Sequence, residues 1–401
     1  MIVCYRKEIF MIETINFKTK TFNLERENPM VDGYWGMSLD IGYSGVKILS
    51  PNKVCCFPYY ARKITQQMLS VGETNPTSIQ YKDGQSSDIW LVGEAAISAM
   101  DVEDTKDSAN ALYGRNRYFS EMFLVCSRVG MALGMMPNKY GSYENKKLMV
   151  QTGLPPAYLK ADSPLLKEAL SGNHDFSIKV GNSKWVHFNF TLPESNIMIM
   201  PQPMGTLMSV ASRMDGSSIP EAALYFKKKL IIFDGGFGTL DDFNISNGII
   251  DSYETFDDLG MKRVMKETSE RIFEKYHTEI PVLGMQKYLE SGMVRCFNRK
   301  LRQTTNESFA DILEKENEKV CREALARVDN IYNSFINHDY FVVAGGTGEA
   351  WYPIIKQYFK NMSTLTIIPG NQNDNLPYIF SNARGYYIYM LQNIKRQKKS
   401  S

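Results

Sequence analysis

The chain reads as an α/β protein built from two similar halves that face one ligand. Three strand-to-glycine junctions predict it. Leu230-Ile231-Ile232-Phe233 is an apolar run of strand length that ends on Asp234, and Gly235, Gly236 and Gly238 follow at once. Roughly 190 positions earlier, Trp35 to Leu39 delivers Asp40 in the same manner, with Gly42, Ser44 and Gly45 in the turn and Lys47 on the returning strand. A third junction, Tyr340-Phe341-Val342-Val343-Ala344 into Gly345-Gly346, leads into a helix instead of a hairpin. Glycines let backbone N–H groups approach a polyanion with no Cβ in the way. A carboxylate at the tip of a buried strand suits metal-bound water, since Mg²⁺ keeps several waters. Either hairpin alone also reads as a glycine-rich turn with a solvated aspartate; two copies of one layout weaken that reading.

At 401 residues the chain has room for two domains with a core each. Its balance of 43% hydrophobic and 22% charged residues is that of an ordinary globular protein, and a net charge of +2 gives no general argument for nucleic acid or an acidic partner. The six cysteines include no C-x-x-C pair and the four histidines are scattered, which argues against zinc and fits reduced thiols in a cytoplasm. Apolar runs stop at strand length and no signal peptide is evident, so no membrane association is expected.

Taken in order, residues 1–36 read as an N-terminal extension of doubtful structure or as an over-long start, with Met11, Met30 and Met37 as alternative starts and an edge-strand pattern from Ile15 onward. After the Asp40 hairpin, Ser50-Pro51-Asn52-Lys53 turns the chain into a strand at Val54 to Phe57. Residues of about 58–112 are polar, carry a strand at Ile89 to Val92 and read as an inserted subdomain. Tyr118 to Met135 has Phe119, Met122, Phe123, Cys126 and Val129 at helical spacing, a core-packing pattern. Leu148 to Pro155 is a buried strand with a turn at its end and Ile197 to Met200 another strand, with a polar hairpin at about 174–192 between them. Pro201-Gln202-Pro203 then leads into a helix over Met204 to Ser212. Beyond the Asp234 hairpin, Asp257-Asp258 is placed to cap a helix over Met261, Val264, Met265, Thr268 and Ile272. Pro281 opens a short helix and Ser308 a long one, so about 258–337 reads as an all-helical second insertion. Leu365 to Ile368 is a further strand, and Asn382 to Ile394 is the last helix before a basic tail. Domain I is thus expected over 37–200 and 381–398, and domain II over 201–380.

No G-x-x-x-x-G-K-[ST] or G-x-G-x-x-G pattern is present, which removes the two commonest nucleotide-fold signatures. Together the three junctions resemble the actin-like ATPase superfamily, the ribonuclease-H-like duplicated fold of actin, sugar kinases and heat-shock chaperones. Asp40, Gly42 and Lys47 match its first phosphate motif, Asp234 to Asp241 its second, and Ala344 to Gly348 its nucleoside motif. Within it the chain looks most like the bacterial plasmid-segregation actins of the ParM and Alp type, through Leu91-Val92-Gly93-Glu94-Ala95, Thr152-Gly153-Leu154-Pro155, Met200-Pro201-Gln202 and Asn382-Ala383-Arg384-Gly385-Tyr386.

The resemblance implies two domains with an inserted subdomain in each and a nucleotide cleft between them, binding ATP or GTP with Mg²⁺. Asp40 and Asp234 would hold the metal mainly through water. Gly42, Tyr43, Ser44 and Gly45 in the first turn, and Gly235, Gly236, Phe237, Gly238 and Thr239 in the second, would surround the phosphates, whose charge Lys47 would neutralise. Gln202 would orient the attacking water; as a neutral amide it is a poor base, so hydrolysis would be slow. Gly345, Gly346 and Thr347 would pack against the nucleoside. Lys262, Lys266 and Glu267 would reach the base, or serve as a solvated helix face. The implied function is a filament-forming ATPase that segregates plasmid DNA through a small DNA-binding adaptor on a centromere-like site, without touching DNA itself. The alternatives are a monomeric sugar-kinase-like phosphotransferase, for which no substrate-side carboxylate motif is evident beyond Asp241 and Asp242, and a cell-shape or division-type filament, whose amphipathic end helix the basic tail does not supply.

Overall fold

A computed structural model describes residues 13–64, 75–84, 86–100, 115–298 and 302–400. Two sheets carry the duplication. The first places β1 (Phe22–Glu25), β4 (Lys53–Pro58), β3 (Gly45–Ser50), β2 (Tyr34–Ile41), β8 (Lys147–Leu154) and β11 (Ile197–Pro201) side by side in that order. The second runs β14 (Ile249–Phe256), β13 (Leu240–Ser246), β12 (Leu230–Gly235), β17 (Tyr340–Ala344) and β18 (Thr366–Pro369). In each, three antiparallel strands are followed by two parallel ones, as β2-β3-β4 with β8 and β11, and as β12-β13-β14 with β17 and β18. The central parallel pair of the second sheet, β12 and β17, is apolar and buried along almost its whole length, which is why both strands were legible.

Sheet one is wider by β1. It pairs antiparallel with β4, Phe22 opposite Cys56 and Glu25 opposite Lys53, and β4 is buried throughout its length. Residues 13–36 are therefore packed structure. Asn28 is buried and donates to the Ser50 carbonyl at 2.7 Å, and Arg26 grips Asp374 through two bonds of 2.8 Å. Residues 1–12 of the expected extension lie outside the described residues.

Helix α1 (Glu94–Ser98) follows the third sheet's strand β7 (Ile89–Val92). That sheet joins β5 (Ala61–Ile64), β7, β6 (Ile79–Asp83), β9 (Gly172–Val180) and β10 (Val186–Leu192), so the first insertion recruits the later polar hairpin. Its residues 65–74, 85 and 101–112 lie outside the described residues. Helix α2 (Glu121–Met135) packs on sheet one, and Ser120 caps it by accepting from the Phe123 N–H. Phe119, expected in the core, is 59% exposed because it sits in the 3₁₀ turn before that cap. Helix α3 (Pro156–Leu170) follows β8, and α4 (Gln202–Ala211) follows β11.

Around the second sheet, α5 (Ala222–Lys227) precedes β12, and α6 (Met261–Tyr276) follows β14. The cap of α6 is Gly260, with no side-chain bond; Asp258 instead pairs with Arg327 at 2.7 Å and Arg263 at 3.7 Å, so the expected aspartate cap is not formed. The second insertion is not all helix. Between a 3₁₀ turn at Gly284–Lys287 and α7 (Ala310–Ile331) lies a hairpin of β15 (Met293–Asn298) and β16 (Gln303–Ser308). Helix α8 (Gly345–Tyr358) leaves β17, and α9 (Ser381–Ser400) returns to sheet one, burying Tyr387, Met390 and Leu391 with Leu49 and Met149.

Candidate nucleotide cleft

A cavity of about 960 Å³ lies between the two sheets' hairpins, within the range of small-molecule sites. The antiparallel registers explain what points into it. Asp40, next to last in β2, stands opposite Lys47 on β3, and the lysine Nζ lies 2.8 Å from the Asp40 carboxylate and donates to the Gly45 carbonyl at 3.3 Å. Asp40 is buried, so this ion pair is held at the cavity floor. The turn between them closes by a Gly42 N–H bond to the Gly45 carbonyl at 3.0 Å, leaving Tyr43 and Ser44 on the wall.

Asp234, next to last in β12, stands on the opposite side. Burial pushes its carboxyl up to about 6; the nearby Asp241 and Asp40 charges add to the rise, and Asn382 and Lys47 oppose it. The Asn382 amide reaches across from α9 and donates to Asp234 at 2.8 Å. Gly235 and the start of α8 interlock. Gly345 has φ +77°, and a Cβ on it would stand 2.3 Å from the Gly235 carbonyl oxygen and 2.6 Å from an Asp234 oxygen. Thr347 donates to the Gly236 carbonyl at 2.7 Å. Asp241, which burial also pushes up, accepts from Thr239 at 2.8 Å and Thr255 at 2.6 Å. The two hairpins come close at Gly238, where a Cβ would lie 3.0 Å from the Tyr43 ring.

The structure thus brings Asp40, Gly42, Tyr43, Ser44, Gly45, Lys47, Gln202, Asp234, Gly236, Phe237, Thr239, Gly345, Gly346 and Thr347 to one cavity, with Gly235 and Gly238 packed just behind. Gln202 is the first residue of α4, where β11 ends, so strand and helix fix its backbone. It does not bring Lys262, Lys266 or Glu267 there; of α6 only Met261 reaches the lining. Lys266 pairs with Glu270 at 3.9 Å. Burial would raise the Glu267 carboxyl, but bonds from Lys319 and Arg263 outweigh it and hold the group at about 2. The wall expected from α6 comes instead from Glu314, Asn317 and Glu318 of α7 and Pro353 and Ile354 of α8.

Sequence reasoning missed three contributors. Arg117 donates to the Ile41 carbonyl at 2.6 Å and lies over the Tyr43 ring at 4.8 Å, bracing the first hairpin; it sits in a short turn with no periodic signal. Asp162 on α3 lines the cavity, is buried and accepts from Tyr118 at 3.4 Å. The third is the segment before β1. Thr14 donates to the Leu289 carbonyl at 2.6 Å, Lys18 pairs with Glu290 at 2.8 Å and Glu94 at 3.8 Å, and the Thr19 N–H donates to Gln286 at 2.9 Å. This strap joins the two insertions beside the cavity.

Among the described residues no group of three or more histidine, cysteine or acidic side chains forms a metal cage. A cavity with two separated carboxylates and glycine-lined turns fits Mg²⁺ carried with phosphate and water better than a metal bound by protein alone. Among the described residues no helix is long and apolar enough to cross a membrane.

Residues 38–205 match the family model described as the N-terminal domain of actin-like proteins. No curated protein sequence matches the chain. Solved structures do. A 15-stranded ParM filament from Clostridium botulinum is similar over 90% of this chain and 99% of its own, with 19% identity and a TM-score of 0.66. The actin-like protein Alp7A aligns over 91% and 98%, with 15% identity and a TM-score of 0.62. An archaeal actin homolog, Ta0583 in complex with ADP, aligns over 90% and 99%, with 13% identity and a TM-score of 0.58.

Proposed function

We propose, on the premise of the actin-like fold and its likeness to ParM- and Alp-type proteins, that this chain is a nucleotide-dependent, filament-forming ATPase whose assembly and hydrolysis-triggered disassembly drive plasmid DNA segregation in the cytoplasm. The observation that carries the reading is the convergence of two Asp-tipped hairpins, one from each duplicated sheet, on a single cavity with Gln202 in its wall. That solved structures of similar fold include a filament and an ADP complex supports it.

Bound Mg-ATP or Mg-GTP would supply the phosphoryl group and the cation that spreads its charge. Asp40 and Asp234 are the residues to hold the metal through water. Ser44, Gly45 and Gly235 to Thr239 offer N–H and hydroxyl donors for phosphate oxygens, and Lys47, held by Asp40, adds a positive charge beside them. Gln202 orients a water without being a strong base, which suits a slow timer. Gly345, Gly346 and Thr347 pack on the nucleoside, and α7 and α8 supply the base wall in place of Lys262, Lys266 and Glu267. The partners are further copies of the chain and a small DNA-binding adaptor on a centromere-like plasmid site; the net charge of +2 gives no basis for direct DNA binding.

One cavity residue bears on the phosphotransferase alternative. Asp162 is a cleft carboxylate, but it is buried under the Tyr118 hydroxyl and so is poorly placed as a base. Light scattering after addition of Mg-ATP or Mg-GTP should rise above a threshold protein concentration, with filaments visible by electron microscopy. A protein that stays monomeric and phosphorylates a small molecule would overturn the reading.

A further inference from the structure

The opening of α9, Asn382-Ala383-Arg384-Gly385-Tyr386, is only partly explained by packing. Arg384 is buried and ties helices together through the Ser209 and Ser212 carbonyls and Asp374. Gly385 lets α9 cross α4, since a Cβ there would fall 1.7 Å from the Gly205 carbonyl oxygen. Asn382 and Tyr386 are one helical turn apart and share a face. The Asn382 amide has a fixed direction. Its oxygen accepts from Thr206 at 2.7 Å, so its nitrogen is the atom that meets Asp234 at 2.8 Å.

Tyr386 is fully buried, with its ring wedged between two glycines. A Cβ on Gly153 would lie 2.0 Å from its hydroxyl oxygen, and one on Gly205 would lie 2.5 Å from its ring. Gly153 lines the cavity, so the hydroxyl sits just beneath the floor. It has no hydrogen-bond partner among the described residues. Gly153 lies two residues beyond the Gln151–Ser38 pair of the parallel strands β8 and β2, as Asp40 does on the neighbouring strand, so the hydroxyl is an unused donor on the Asp40 side of the floor. An unbonded buried hydroxyl weakens a fold, and phenylalanine would fill the same space.

We propose that Asn382 and Tyr386 are positioning residues of the cleft: the amide sets the direction of the Asp234 carboxylate, and the Tyr386 hydroxyl donates to a water held between Asp40 and Asp234 when the metal is bound. The inference rests on the reading of this cavity as a Mg-nucleotide site. It makes α9, far from either glycine hairpin in sequence, part of the metal-binding machinery.

The test uses the full chain and the variants Tyr386→Phe and Asn382→Ala. Thermal unfolding is followed without ligand and with ADP over a range of Mg²⁺ concentrations. Tyr386→Phe should raise the midpoint of the ligand-free protein by roughly 2 °C, because it removes an unbonded hydroxyl. It should also raise the Mg²⁺ concentration needed for half-maximal stabilisation by ADP about tenfold, the usual scale for an outer partner of a metal site. Asn382→Ala should raise that concentration similarly. A Tyr386→Phe protein with an unchanged Mg²⁺ requirement would overturn the inference, whatever its midpoint. Wild-type protein that Mg-ADP does not stabilise would instead overturn the site reading beneath it.

Discussion

Asp234 and Gln202 divide the proposed work at the residue scale. Asp234 is a half-buried carboxylate facing Asp40 and Lys47, and Gln202 is a neutral amide at a strand-to-helix joint. Asp234→Ala should lower phosphate release by about 100-fold or more, whereas Gln202→Ala should slow it by roughly 10- to 100-fold, keep nucleotide affinity and lengthen filament lifetime. Phosphate release at normal rate in the first variant would place the site elsewhere. Asp242, next to the cleft strand but outside the cavity, governs a pH response. It is fully buried, with one oxygen bonded to the Tyr332 hydroxyl at 2.7 Å, and burial pushes its carboxyl up to about 7. The folded protein then keeps a proton that the unfolded chain releases, so this stability is complete below the ordinary carboxyl value of 3.8 and is lost as pH rises through about 7. Asp234 adds a slope of the same sign. The thermal midpoint should fall on the order of 5 °C between pH 5 and pH 8, and Asp242→Asn should remove much of that fall.

Among the elements, the crossing of α4 and α9 is the tightest joint, and it carries Gln202 on one helix and Asn382 on the other. Gly385→Ala has no room for its methyl and should cost about 3 kcal/mol, read as a lower urea midpoint. Gly284→Ala, whose added Cβ would meet Pro281 at an ordinary 3.6 Å, should change stability by less than about 0.5 kcal/mol. Equal midpoints would show that the joint is slack. Element type was legible where periodicity was long. The β12 and β17 runs and the α7 pattern fall where the residues imply. The β15–β16 hairpin was not, because Met293 to Asn298 alternates over too few residues to stand out among helices. The missing Asp258 cap has a tertiary cause: the first N–H groups of α6 donate to carbonyls of the second hairpin, Met261 to Gly236 at 3.4 Å and Lys262 to Phe237 at 2.7 Å, which leaves Asp258 to pair with Arg327.

For the whole molecule, the strap before β1 ties the two insertions to each other, so cleft opening requires its release or its movement with both. Lys18 carries the charged part of this link, between Glu94 and Glu290. Lys18→Glu turns two attractions into repulsions. Both pairs are partly solvated, so the effect is modest: nucleotide release should quicken about fivefold, as read with a fluorescent nucleotide analogue. An unchanged release rate would mean that the strap does not restrain the cleft.

The duplicated architecture and the three junctions that build the cavity are written in the residues themselves. Those depend on local facts: apolar runs that end on a carboxylate, and glycines where a backbone must turn or approach another. Long-range packing alone shows that Lys47 pairs with Asp40, that α7 and α8 supply most of the wall expected from α6, that the segment before β1 straps the insertions, and that α9 reaches Asp234. Each of these joins residues far apart in the chain or settles which of several charges pair. No spacing pattern encodes that, because ion pairs and close helix crossings are set by which surfaces meet once both cores have formed.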